Sequence, residues 1–204
     1  MLAPLFIAAV ARNSMARGLG VVAAAFLGHS LSMILLAAFA PAYIVDSFPP
    51  GFQYWEQSRS WIVTGFSPEY DLSWWLPAHV QLLAGVAVFT YTSLGLLTFW
   101  QGLYEVDLMN VYVGHLLAHS HTPWLALACG WHPWSVCRGI GYLVLTFEIA
   151  SLSLSRLTGV PLATREERGW RWLIGLSFLV ADGLIKYFFL DSVRQTLAGN
   201  LLAT

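Results

Sequence analysis

Long apolar runs separated by short polar links set the reading of this chain. The stretch "GLGVVAAAFLGHSLSMILLAAFA", residues 18–40, is apolar throughout, with Arg12 and Arg17 just before it and Pro41 just after it. A helix needs roughly 20 apolar residues to cross the hydrocarbon core of a bilayer, and this run is long enough. Further runs at about 73–100, 109–129, 133–157 and 172–190 predict four more spanning helices. Ser73 is a good N-cap type for the second, with Pro77 in its first turns. Gly130 suits the end of the third, and His132–Pro133 restarts a helix for the fourth. The expected fold class is all-α: a polytopic helical integral membrane protein of about five transmembrane helices, forming one membrane domain over residues 1–204.

The interruptions complete the layout. Residues 1–17 form an N-terminal segment, with 2–16 expected as a short helix in or near the membrane interface. No basic residue precedes its apolar run, which argues against a secretory leader. Residues 46–72 make the longest polar connection, with two adjacent prolines, four acids and one base. Within it, 52–66 is expected to lie on the membrane as an amphipathic helix anchored by Trp55 and Trp61. Residues 158–171 carry the densest charge, and an amphipathic tail follows the fifth span. An alternative topology turns residues 103–137 into a re-entrant or surface hairpin and leaves three full spans.

Charge orients the array. With the N-terminus inside, Arg12, Arg17, Arg156, Arg165, Arg168 and Arg171 fall on the inner side, and Arg59, Arg138 and Arg194 on the outer side. That bias satisfies the positive-inside rule and places the C-terminus outside. Trp74, Trp75, Trp131 and Trp134 would form an outer aromatic belt, and Trp100, Trp170 and Trp172 an inner one. A multi-pass location in the cell (inner) membrane is expected.

Composition agrees with lipid as the solvent. The chain is 57% hydrophobic and 10% charged, against about 25% charged residues in soluble domains. A net charge of −1 leaves no basic footprint, so nucleic acid is not an expected partner. Other membrane subunits and lipids are.

Candidate chemistry sits inside the apolar runs, where every ionisable side chain is a functional hypothesis. The stretch "GHLLAHSHTPW" puts His115 and His119 on one helical face, with His121 about 200° around from His119. Pro123 removes the amide that would bond the carbonyl of residue 119, predicting a kink. The HxxxH spacing is similar to one histidine box of membrane fatty-acid desaturases. That resemblance covers five residues and the further boxes are missing, so no metal is assigned: two histidines do not close a site. His29, one turn after Ala25, resembles the pigment-binding helix of bacterial light-harvesting polypeptides, again over five residues. His29, His79, His115 and His119 are therefore candidate ligands for a haem or chlorophyll-type pigment. Glu148, Asp182 and Lys186 are expected to form a self-neutralising intramembrane cluster, either holding helices together or carrying protons or substrate. Stripes of Gly, Ala and Ser predict close helix packing. Cys129 and Cys137 flank a tight turn, where a disulfide is one option.

No nucleophile motif, phosphate loop or paired-carboxylate signature is present. The functional expectation is a small subunit of a larger membrane complex, with a structural, assembly or helix-packing role and no catalysis of its own. A haem- or (bacterio)chlorophyll-ligating redox or antenna subunit is the first alternative, and a small proton-coupled transporter or channel the second.

Overall fold

A computed structural model describes residues 2–66 and 70–201. It is all-helical, with 88% of the described residues in helix and no strand among them. The elements are α1 (Leu2–Ala11), α2 (Met15–Phe39), α3 (Pro41–Ser47), α4 (Pro49–Thr64), α5 (Leu72–Ser93), α6 (Leu96–Ala118), α7 (Pro123–Gly130), α8 (Pro133–Thr158) and α9 (Arg165–Asn200). By length and composition, three of the described helices can cross a membrane: α2, α8 and α9. Helices α5 and α6 have 22 and 23 residues. They fall short in apolarity: α6 carries Glu105, Asp107, Asn110 and His115 within its length.

The pairings fix helix directions. Helices α8 and α9 run antiparallel, with Arg138 opposite Asp182 and Glu148 opposite Arg171. They touch where Gly141 meets Gly175, each with no room for a Cβ. Helices α2 and α6 run parallel: Phe26 lies against Gly102, His29 against Asp107, and Ile34 and Ala37 against Gly114. Small residues at these crossings let backbones approach, as expected from the sequence.

Several expectations are corrected. The run 73–100 is not one helix. Leu94 (φ 53°) and Gly95 (φ 93°) are consecutive left-handed residues that turn the chain into α6. Thr90 and Thr98 hydrogen-bond across this turn at 2.7 Å, and a Cβ on Gly95 would press on Phe6 at 3.3 Å. Glycine carries φ near +90° without the penalty a side chain brings. The cap of α5 is Asp71, which accepts from the Ser73 amide, and not Ser73 itself.

The run 109–129 is also broken. Helix α6 ends at Ala118 and Pro123 opens α7, so the proline starts a helix instead of kinking one. Asn200, at the end of α9, braces the break. Its side chain accepts from the Thr122 amide at 2.9 Å and donates to the Thr122 carbonyl at 3.1 Å, while its own carbonyl accepts from His121 N–H. The expected separate tail is therefore the last turns of α9. At 36 residues, α9 is about 54 Å long, more than one bilayer core requires.

The segments expected at the interface pack on the bundle. Phe6, Ala9 and Val10 of α1 are buried, with Phe6 edge-on to Phe99 and Phe147 at 4.8 and 6.0 Å. Helix α4 exists, but its Trp55 and Trp61 are buried inside the bundle and do not anchor a membrane surface. Of the expected outer belt, Trp134 is buried, while Trp75, which packs on His79, and Trp131 are half-buried. The Trp74 side chain and residues 67–69 of the 46–72 connection lie outside the described residues. Trp100, Trp170 and Trp172 are exposed. Cys129 and Cys137 are free thiols.

Candidate functional site

The charged residues expected at membrane depth form two centres and not one cluster. Arg138 on α8 directs Nε and Nη2 at the two carboxylate oxygens of Asp182 on α9, at 2.9 and 3.0 Å. His79 of α5 adds its Nε2 at 3.7 Å from the same carboxylate. Lys186 does not pair with Asp182 at ion-pair distance; its ammonium lies 5.1 Å over the Trp75 ring. About ten residues further along α8, Glu148 meets Arg171 at 3.2 Å and Arg168 at 3.9 Å. Arg171 also donates to Asn13 at 2.6 Å and sits over Phe147. Each buried carboxylate is thus answered by an arginine: Arg171 from the expected inner loop 158–171, and Arg138 from the outer end of the expected span 133–157. Two of the arginines counted for orientation, Arg138 and Arg171, neutralise internal charges.

The four candidate ligand histidines fall in three separate surroundings. His29 bonds Asp107 at 2.8 Å, beside Asn110, which donates to the same oxygen. The Nδ1 of His79 donates to the Trp75 carbonyl. His115 and His119 do share a face, as their spacing predicts, and both stack on Trp55 with ring centroids at 5.3 and 5.7 Å. His119 donates to the His115 carbonyl at 2.8 Å. His115 is 3% exposed, and neither ring nitrogen has a hydrogen-bond partner among the described residues. A macrocycle needs an open face beside its axial imidazole, and His115 offers none, with Phe52, Trp55 and His119 packed around it. Among the described residues, no three His, Cys, Asp or Glu side chains converge as a metal site.

The open chemistry lies elsewhere. Helices α6 and α8 barely touch, and a cavity of about 720 Å³ fills the space between them, walled also by α4 and α5. One end is apolar, with Phe26, Leu82, Val86, Phe99 and Leu143. The other end is aromatic, with Tyr54, Trp61, Phe66, Trp131 and Trp134. Polar groups stand between and around them: Gln57 and Ser58 from α4, Gln101 and Glu105 from α6, and Ser135, Arg138 and Tyr142 from α8. Gln101 donates to Glu105 at 3.1 Å. Along α6 the lining residues Thr98, Gln101, Glu105 and Met109 recur at helical spacing and extend about 16 Å.

Sequence reading missed Glu105, Arg138 and Tyr142. A signal was there: His132, Ser135, Arg138, Tyr142 and Thr146 recur at three- and four-residue steps along α8. A polar stripe on an otherwise apolar helix marks a face turned from lipid.

Comparison of the chain with protein-family models, with curated proteins and with solved structures finds no match.

Proposed function

We propose that this chain is a polytopic membrane protein that holds a small amphiphilic molecule in the cavity between α6 and α8. The cavity carries this reading. Ligand sites run roughly 300–1,000 Å³, are mostly apolar, and present a few convergent polar groups, and this one combines all three properties. A role limited to helix packing gives no reason for a partly open cavity of about 720 Å³ between two helices, because packed helices otherwise meet closely.

The proposal includes five crossings, with α5 and α6 joining α2, α8 and α9. The helix directions support this arrangement. Helices α2 and α6 are parallel, α8 and α9 are antiparallel, and the α5–α6 turn reverses the chain. Alternating crossings from an inner N-terminus produce those relations and leave the C-terminus outside.

The experiment is native mass spectrometry of the protein purified in a mild maltoside, comparing wild type with Gly139→Phe. Gly139 lines the cavity, and a Cβ there meets nothing within 4 Å. The phenyl ring is expected to enter and narrow the cavity. A co-purifying amphiphile on wild type, lost from folded Gly139→Phe, supports the reading. Equal retention by both overturns it.

A second reading is a subunit of a larger membrane complex. The observation favouring it is the exposed aromatic run Tyr187, Phe188 and Phe189 on α9, which a partner helix would cover. Blue-native electrophoresis after mild extraction tests it: migration as a monomer would count against a partner.

A further inference from the structure

The charges on the cavity wall point to the head group of its occupant. A carboxylate and a guanidinium line the cavity, Glu105 on α6 and Arg138 on α8, along with the titratable side chains of Tyr54, His132 and Tyr142. Arg138 spends two of its donors on Asp182, so its charge is matched inside the protein. Glu105 is not matched. It accepts one hydrogen bond, from the neutral Gln101 amide, and forms no ion pair with any described residue. A carboxylate facing a largely apolar space without a counter-charge carries a desolvation cost that a cation would offset. The aromatic end of the same cavity adds ring faces, and these attract cations and not anions. Tyr54 stands close by, donating to the sulfur of Met109 one helical turn from Glu105.

We propose that the cavity takes a long-chain amphiphile with a cationic ammonium head, seated against Glu105, and with its tail toward Val86 and Phe99. This rests on the cavity being a binding site and specifies the class of ligand it takes. An anionic head would set a second negative charge beside Glu105, while the one arginine on the wall is already engaged by Asp182. A neutral alcohol would satisfy hydrogen bonds but leave Glu105 without a counter-charge.

Three probes share one tail and differ in the head: hexadecylamine, hexadecanol and hexadecyl sulfate. Each is titrated at pH 7 against the full chain in maltoside micelles, and bound adducts are counted by native mass spectrometry. The expected order is amine, then alcohol, then sulfate, with the amine favoured over the sulfate by about tenfold or more. Glu105→Gln keeps the size of the side chain and its contact with Gln101. It should bring the amine down to the level of hexadecanol and leave hexadecanol binding unchanged. A preference for the sulfate, or an amine preference that survives Glu105→Gln, overturns the assignment. Hexadecanol binding that Gly139→Phe removes, with no preference for the amine, rejects the cationic head and leaves the cavity reading standing. Binding of none of the three overturns both.

Discussion

Gly114 stands where α6 crosses α2, and alanine there is a direct test of the packing. A Cβ on Gly114 would lie 2.5 Å from the Ala37 Cβ, 2.6 Å from the Ile34 carbonyl oxygen and 3.1 Å from the Ala38 nitrogen. Non-bonded carbons settle at about 3.5–4.0 Å, so the methyl overlaps its neighbours by about 1 Å. Two of the three obstructing atoms are backbone and cannot rotate away. The helices must separate, at an overpacking cost of about 1–3 kcal/mol. Alanine is better than glycine within a helix by about 0.5–1 kcal/mol, and this partly masks the clash. Gly139→Ala supplies the control, since a Cβ there meets nothing within 4 Å. Both variants gain the same helix term, so their difference isolates the clash at about 1–3 kcal/mol. Unfolding is followed by far-UV circular dichroism during titration of mixed micelles with a denaturing detergent. Gly114→Ala should unfold first and Gly139→Ala at or after wild type. Equal midpoints for the two alanine variants would refute the close α2–α6 crossing.

Other outcomes follow from the ion pairs, caps and thiols. Asp182→Asn leaves the Arg138 charge without its carboxylate and should cost about 3–5 kcal/mol in the same titration; replacing Arg138 and Asp182 together with Met and Leu should recover most of that loss. Thr164 caps α9 by accepting the Glu167 amide, while the Glu167 carboxylate accepts the Thr164 amide at 2.8 Å. Thr164→Ala should cost about 1 kcal/mol and speed hydrogen exchange in the first turn of α9, and unchanged exchange there would contradict the capping box. Thiol labelling of unreduced, denatured protein should modify both Cys129 and Cys137; modification of neither would mean that they pair.

Where apolar content decided the structure, the chain was readable. The run 18–40 is α2 to within three residues, and 133–157 is α8 to within one, because nothing in those stretches competes with a helix. The run 73–100 hid its turn, since Leu94 holds a left-handed conformation that leucine rarely adopts and only Gly95 beside it hints at a reversal. The break at 119–122 depends on Asn200, 78 residues away, and no local pattern reveals such a partner. His115 and His119 fell on one face as their spacing demands, yet Trp55, which covers them, comes from a segment expected to lie outside the bundle. The charged centres were half legible. Glu148 and Asp182 were marked by depth, but their partners Arg171 and Arg138 lay near the ends of apolar runs and were read only as charges that orient the chain. The cavity needed three dimensions. Its polar stripe on α8 is periodic in the sequence, but the stand-off of α6 from α8, both of which pack on α5, is a feature of the tertiary arrangement.

Photo-cross-linking tests the central claim, that an amphiphile occupies the α6–α8 cavity, most directly. A hexadecylamine analogue with a diazirine near the end of its tail is activated on the full chain in maltoside micelles, and the adducts are mapped by peptide mass spectrometry. The account predicts adducts at Leu82, Val86, Phe99 and Leu143, which line the apolar end, and their loss in Gly139→Phe. Adducts confined to outward-facing residues such as Leu27, Leu31, Tyr187 and Phe188, unchanged by Gly139→Phe, would show that the amphiphile only coats the bundle and would contradict the account.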